Sequence, residues 1–581
     1  MLSLHPGADM AVAVAVAAVA TAAGARLRRL ARIGLPPGLR LPADFIAGCW
    51  LLASAVLALG LLHVWNRWTL WAAIIALAAA GRWRRTGWRW SALAAPALGS
   101  LVALPVALTR PFFYDALVYH LGLPWQGLLE GGLRAHPEDL FSTFPPLAQL
   151  LAAVPLSVGC DRAPALLHWA SFIAAGAAAA ALARTLGAPK WGAVLAGACV
   201  PLLPGDALVP GLPAAEGYAL VGMLAAAAAA LGHGRGRTTA AISRLLAGAA
   251  VASRLQALAW STMIVGIVVV RARERWRSGA AALAGVAVGG APWWLKNAVL
   301  IGQPFAPVGW DREGLGALWR DAGVLLGRGA TFTAAFHQLV GTLAPHAAYL
   351  LPLALASCLA LTRRGDRRPR LAAALAAGAV LAWWVTGTVP RFLVPASAVL
   401  LALAASAAQR GPWGRWAAAL SLSTAAAAGV AVNGRALSRI EGIATLRVGP
   451  AWVANDPRPA FAAARVLPRS ARVLFVGEAR GFGFPRRFVT PSPYDVSPLR
   501  GVLETSASPV AACAGLRAMG YTDVLVNWGE LNRLAGGYPV APWRDVAGWR
   551  RWNAFIAWLG PPVVEAGPVQ IFALPASGGN V

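Results

Sequence analysis

Five charged side chains in this sequence stand where chemistry could be done beside a membrane: Asp115, Glu216, Arg254, Lys296 and Arg391. Asp115 sits in Tyr114-Asp115-Ala-Leu-Val-Tyr119-His120, directly after the apolar run 91–109. A carboxylate there has two readings. It can cap a helix by accepting bonds from the first free N–H groups. It can also stand at the mouth of a cavity and take a proton from an acceptor hydroxyl. Tyr119 falls one helical turn on and shares its face, and His120 follows. Glu216 lies in Pro213-Ala-Ala-Glu216-Gly-Tyr218, Arg254 interrupts the apolar stretch 240–270, and Arg391 opens Pro390-Arg391-Phe-Leu-Val-Pro395. Ionisable groups at membrane depth are functional hypotheses by default; for the arginines the alternative is snorkelling to the interface. A planar guanidinium suits a phosphate. Transfer from a lipid-phosphate donor needs such a cation on the leaving phosphate and a base on the acceptor.

These residues need a membrane scaffold to hold them, and the composition supplies one. Apolar residues make up 58% of 581 positions. Apolar runs recur at 9–24, 43–62, 68–80, 91–109, 163–183, 190–204, 212–232, 240–254, 256–270, 279–301, 337–362, 370–388, 391–408 and 413–432. Many are long enough to cross a hydrocarbon core of roughly 30 Å. The pattern predicts a polytopic α-helical membrane protein of about 12–14 transmembrane helices. Segment 146–159 is apolar but short and flanked by proline, and reads as a re-entrant or interfacial helix.

The net charge of +28 raises nucleic-acid binding. The placement of the charge argues for membrane orientation instead. Arginines cluster in short loops, at Arg26–Arg40, Arg82–Arg89, Arg184–Lys190, Arg235–Arg244, Arg271–Arg277 and Arg363–Arg370. That fits the positive-inside rule, so nucleic acid is excluded as a partner. With those loops in the cytoplasm and 146–159 not crossing, loops 110–162 and 302–336 fall outside, together with the chain after residue 432. Loop 110–162 mixes aromatics, acids and two histidines and would lie along the membrane surface. The first ten residues lack a basic n-region, which argues against a cleaved signal peptide. The Ala/Gly/Arg-rich, Lys-poor composition suggests a high-GC bacterial genome. The five cysteines are scattered, with no metal-ligand spacing.

Residues 1–432 thus form the membrane domain, and 433–581 form a soluble one. In the latter, β-type runs at Arg472–Gly477, Asp523–Asn527 and Val569–Leu574 flank a helical stretch, Pro509–Met519. Strands alternating with helices predict a small α/β domain. Gly481-Phe-Gly483 does not complete a dinucleotide fingerprint. A domain covering the membrane site is the reading.

The same residues resemble the GT-C class of integral-membrane glycosyltransferases, in particular protein O-mannosyltransferases and lipid A aminoarabinose transferases. Asp115 in YDALVYH matches the acidic residue of the first large external loop. Phe144-Pro-Pro-Leu147 is similar to the class's Pro-Pro-Leu. Pro292-Trp-Trp-Leu-Lys296-Asn297 with Gly302-Gln-Pro304 is similar to its PW..(R/K)N…G.P stretch. Arg391-Phe-Leu-Val-Pro395 is similar to R(Y/F)LLP, and ARVLFVGEARGF to a segment found beside such membrane domains. The resemblance covers most of the chain. Many relatives carry Asp-Glu where this chain has Asp115-Ala116, Asp at Glu216 and Lys at Arg254. It implies transfer of a sugar from a polyprenyl-phosphate carrier to a glycan, lipid or protein acceptor, at the outer face of a bacterial cytoplasmic membrane. Asp115 is then the base, and Glu216 assists the acceptor or a divalent metal ion. Arg254 and Arg391 bind the donor phosphate, with Tyr119, His120 and Lys296 as further substrate-binding candidates. The rivals are a transporter or flippase, which would show paired helical halves, and a non-catalytic envelope-assembly scaffold, for which Asp115 would be dispensable. An oligosaccharide ligase would differ only in donor size.

Overall fold

The computed structural model describes residues 5–80, 88, 90–205, 208–232, 237–272, 274–308, 321, 332–362, 365–446 and 454–575. Most of the predicted external loop 302–336, and parts of the Arg82–Arg89, Arg235–Arg244, Arg271–Arg277 and Arg363–Arg370 clusters, lie outside these residues.

Helices carry the chain as far as Ser438. The first two, α1 (Pro6–Leu30) and α2 (Pro37–Leu61), form a close hairpin. A Cβ on Gly24 would stand 1.8 Å from the Asp44 carbonyl oxygen, and one on Gly48 would stand 1.6 Å from that of Ala20. Only glycine lets the two backbones approach so closely, the small-residue packing that serves helices in lipid. Charge pairs fix both ends of α1. Arg28 grips Asp44 through two bonds of 2.7 and 3.0 Å, and Arg162 reaches Asp9 at 3.3 Å.

Helices α3 (Arg67–Ala80), α4 (Ser91–Ser100) and α5 (Leu104–Ala107) lead to the predicted external loop. That loop holds α6 (Gly122–Glu130) and α7 (Leu147–Leu156). All ten residues of α7 are buried. At 1.5 Å per residue it spans about 15 Å, half a hydrocarbon core. It is a short helix enclosed by protein, not one lying on a surface. Then follow α8 (Ala163–Thr185), α9 (Lys190–Cys199), α10 (Glu216–Leu231), α11 (Arg237–Ser253), α12 (Ala257–Arg271) and α13 (Arg275–Ile301). After the next loop come α14 (Phe332–Leu343), α15 (Ala347–Leu361), α16 (Arg368–Thr386), α17 (Val394–Ala407) and α18 (Gly411–Ser438).

Among the described residues, six segments are long and apolar enough to cross a membrane: Pro6–Leu30, Pro37–Leu61, Ala163–Thr185, Leu339–Leu361, Pro390–Ala407 and Gly411–Ser438. Shorter apolar helices pack between them, α10 and α11 among them. Buried alanines from α8, α10, α11 and α17 fill much of the core. Small side chains let these helices lie close without a large hydrophobic drive between them. The protein is a polytopic α-helical membrane protein.

The C-terminal part is a small α/β unit. Strands β1 (Arg472–Val476), β2 (Arg487–Val489), β3 (Asp523–Asn527), β4 (Val564–Ala566) and β5 (Val569–Ala573) form one sheet in the order β2-β1-β3-β5-β4. β1 runs parallel to β2 and β3, while β5 is antiparallel to β3. All five residues of β3 are buried, as a central strand covered on both faces requires. Helices α19 (Pro498–Thr505), α20 (Pro509–Ala518), α21 (Trp528–Leu534) and α22 (Val546–Leu559) complete it. The strands β2 and β4, three residues each, carry too few positions for alternation to show in the sequence.

This unit docks on the loop between α5 and α8. Trp125 donates to the Phe484 carbonyl at 2.8 Å, Gln126 to that of Phe488 at 3.0 Å, and the Leu140 N–H to Asp495 at 2.7 Å. The Phe482 N–H donates to the Leu117 carbonyl at 3.2 Å. The Phe482 ring packs with Leu117, Leu121, Ala152 and Leu156. Loop 110–162 is therefore roofed by the C-terminal unit. It had been expected to lie along the membrane surface; its apolar face meets protein here.

Candidate active site

Asp115 has helical backbone angles and makes no capping bond. The chain from Ala116 to His120 is a wide π turn, closed by the Leu121 N–H on the Ala116 carbonyl at 2.9 Å. Such turns recur at functional sites because they rotate side chains off the ordinary helical period. Here the Asp115 carboxylate accepts from Arg391 at 3.1 Å and from the Tyr119 hydroxyl.

Arg391 lies in a single 3-10 turn, Pro390–Leu393, ahead of α17. Its Nε stands 3.2 Å from Glu216 Oε1. Glu216 is the first residue of α10, and Arg254 binds the same carboxylate oxygen from the break between α11 and α12. The other oxygen accepts the Ala215 N–H at 3.0 Å. A continuous chain of charge results, Asp115–Arg391–Glu216–Arg254. Each side chain is 13–28% exposed. Phe392 lies under both arginines, 4.1 Å from the Arg254 guanidinium carbon and 5.6 Å from that of Arg391. A ring face there holds the two cations in place at little entropic cost.

The residues of this chain line two cavities. One is mostly apolar and is lined by Glu216, Arg254, Arg391 and Phe392 together with Pro201, Leu203 and Met223. The other, about 410 Å3, opens between the loop 110–162 and the C-terminal unit, with Asp115 in its wall.

Burial pushes the Asp115 carboxyl above the usual carboxylate range; Arg391 pulls it down and Glu216 pushes it up, and the net direction is up. Burial lowers His120 to about 3. It is a neutral imidazole stacked 4.3 Å from Tyr119, with Nδ1 buried and lacking a partner among the described residues.

Lys296 stands apart from the cluster. Its ammonium donates to the carbonyls of Ser142 and, at 2.8 Å, Phe144. Asn297 and Trp293 both donate to the Thr143 carbonyl, at 2.8 and 2.9 Å. The PWWLKN stretch on α13 thus clamps the three carbonyls ahead of Pro145. Two prolines follow them and offer no N–H of their own.

Several residues at the site had no signal that singled them out. His168, on α8, accepts the Gly217 N–H at 3.0 Å and steadies the first turn of α10, which carries Glu216. Gln256 accepts from Arg254 at 3.0 Å. Arg480 and Arg533 of the C-terminal unit lie 5.4 and 5.8 Å from the Tyr114 ring. The GEARGF segment marked the neighbourhood of Arg480; its partners are far away in sequence.

For a divalent metal ion the donor set does not fit. Among the described residues, no three His, Cys, Asp or Glu side chains form a metal-holding group. The Asp115 and Glu216 carboxylates already face guanidiniums.

Fold and site together define a membrane-embedded protein with a half-buried chain of charge and a C-terminal α/β cap. Three solved structures are similar to it over most of its length. ArnT from Cupriavidus metallidurans in the apo state is 15% identical, with a TM-score of 0.49 over 85% of this chain and 98% of that one. The same protein bound to undecaprenyl phosphate is 14% identical, with a TM-score of 0.48 over 85% and 99%. The Archaeoglobus fulgidus oligosaccharyltransferase in complex with Zn and sulfate is 12% identical, with a TM-score of 0.46 over 75% and 68%. No protein-family model matches the chain, and no curated protein does.

Proposed function

We propose that this protein is a GT-C-type glycosyltransferase that moves a sugar from a polyprenyl-phosphate carrier to an acceptor hydroxyl at the outer face of the cytoplasmic membrane. One observation carries the reading: a carboxylate with raised pKa, in the wall of a cleft that also holds charged side chains, is joined by Arg391 to a clamped arginine pair in the wall of an apolar cavity. The order of the family-like motifs along the chain agrees with it.

The donor approaches from the apolar side with its phosphate against Arg391 and Arg254; the space there, about 40 Å3, is on the scale of the phosphate alone, so the lipid chain lies outside it. Glu216 neutralises part of their charge and fixes both forks. That fixed geometry matters because stabilisation is largest when the cations need not reorganise as charge develops. The acceptor enters from the polar side. Its oxygen attacks the anomeric carbon as the bond from that carbon to the phosphate oxygen breaks. The hydroxyl proton passes to Asp115, and the lipid phosphate leaves with its negative charge on the arginines. Tyr119 positions the Asp115 carboxylate through its hydroxyl, whereas His120 lines a separate small cavity with Leu121 and Tyr218. Lys296 holds the loop that brings Phe141 and Phe144 against Tyr119.

The test is transfer by the purified full-length chain in detergent, given a labelled polyprenyl-phosphate sugar. Asp115→Asn keeps the shape and removes the charge. Transfer should fall by about 10²–10⁴-fold, the scale of a general base, with melting behaviour unchanged. Wild-type turnover in Asp115→Asn overturns the reading.

A further inference from the structure

The polar cavity has a chemical character of its own, beyond its place beside Asp115. Its walls include Tyr114, Tyr494 and Tyr538, and two ion-paired residues of α21, Glu530 and Arg533. At about 410 Å3 it falls in the range of small-molecule pockets, roughly 300–1,000 Å3.

Three features bear on what it takes. First, its cations are already neutralised. Glu478 holds Arg480 through bonds of 2.8 and 2.7 Å, and Glu530 holds Arg533 through bonds of 2.9 and 2.5 Å. Among the described residues the wall carries two guanidiniums, Arg480 and Arg533, and two carboxylates, Asp115 and Glu530. The cleft therefore offers an anion no excess of positive charge, unlike the apolar cavity, where among the described residues Arg254 and Arg391 share the wall with one carboxylate, Glu216. Second, the Tyr114 hydroxyl is buried and has no hydrogen-bond partner among the described residues. A buried donor left unpaired costs stability, so a ligand oxygen is what the group lacks. Third, Tyr494 and Tyr538 present rings 5.6 Å apart at the rim, and Asp321 accepts from both hydroxyls, at 3.0 and 2.7 Å. Aromatic faces beside paired planar polar groups match the C–H faces and hydroxyl edges of a sugar ring.

We infer that this cleft binds a neutral, polyhydroxylated acceptor, a glycan, and that Arg533 and Tyr538 of the C-terminal unit select it. The inference rests on the transferase reading for the word acceptor, not for the binding. The glycan hydroxyl nearest Asp115 then loses its proton to that carboxylate as its oxygen joins the anomeric carbon of the donor.

The experiment reads binding without turnover. Purified full-length protein in detergent is passed over surfaces bearing neutral trisaccharides of glucose, mannose, galactose and N-acetylglucosamine. Parallel surfaces carry a phosphorylated trisaccharide and a mixed-sequence peptide. Donor binding is read separately with undecaprenyl phosphate. At least one neutral glycan should retain the protein. Arg533→Ala and, independently, Tyr538→Phe should weaken that retention about tenfold, the effect of one lost hydrogen bond of this kind. Undecaprenyl phosphate binding should stay as in wild type in both variants, and Tyr538→Phe should also melt as wild type; Arg533→Ala takes two bonds from the buried Glu530, so its retention is read per folded molecule. Retention only on the phosphorylated or peptide surface, or on none, overturns the inference. So does neutral-glycan retention that neither variant weakens. Glycan retention without any lipid-phosphate binding supports the cleft and counts against the transferase reading.

Discussion

Asp115 shares Arg391 with Glu216, so the charges of both act on its ionisation. As a base, Asp115 must be ionised, and burial raises the pH at which that happens. Transfer should therefore fall on the acid side through a pKa above the ordinary carboxylate value of about 3.9. Arg391 is the cation that opposes this rise. Arg391→Gln removes it, so the acid limb of kcat/KM should move to higher pH. Arg391→Lys should keep the limb nearer its wild-type place yet raise the KM for the donor, because a point charge replaces a two-pronged fork. A pH–rate profile with a donor titration checks both. A limb that stays put in Arg391→Gln would separate Asp115 from Arg391 and leave the pair a structural tie.

The charged residues owe their placement to irregular elements. Asp115 precedes a π turn that contains Tyr119, Arg391 sits in a 3-10 turn, and Arg254 fills the break between α11 and α12. Regular helices around them supply rigidity. The α1–α2 hairpin is the clearest case, since backbone contact at Gly24 and Gly48 leaves no room for a side chain. Gly48→Leu should force the helices apart and lower stability by at least the roughly 1–3 kcal/mol of an overpacked core. Thermal melting in detergent measures this. Transfer per folded molecule should be kept, because the hairpin lies outside the charged chain. At the other interface, Phe482→Ala removes the ring that fits among Leu117, Leu121, Ala152 and Leu156. The C-terminal unit should then loosen on the external loop. Faster proteolysis after Ser438, with the helical part intact, would report it.

At the scale of the whole molecule, the cap and the bundle make one site. The polar cleft takes Asp115 from the bundle and Arg480, Glu530 and Arg533 from the cap. If the site faces outward, the cap must too. A cysteine introduced at exposed Ala507, with the exposed Cys358 changed to serine, should react with a membrane-impermeant thiol reagent on intact spheroplasts. Labelling only after lysis would reverse the orientation and with it the proposed face of transfer.

Sequence alone determined the local properties of the chain. Apolar runs predicted the helices, because each buries its own backbone bonds and needs only length and composition to be recognised. Short β-type runs predicted β1, β3 and β5, the strands with five residues each. Asp115, Glu216, Arg254 and Arg391 stood out because a charge interrupting or edging an apolar run is costly. Their mutual arrangement could not be read the same way. Asp115 and Arg391 bond across 276 positions of chain, and no local pattern encodes that distance. Lys296 shows the difference most clearly. Its charge marked it as a candidate for the substrate, yet helix packing aims it at the carbonyls of Ser142 and Phe144. The polar cleft belongs wholly to the tertiary structure, because its walls come from the loop 110–162 and from separate segments of the cap around Arg480, Tyr494 and α21, which meet only when the cap docks.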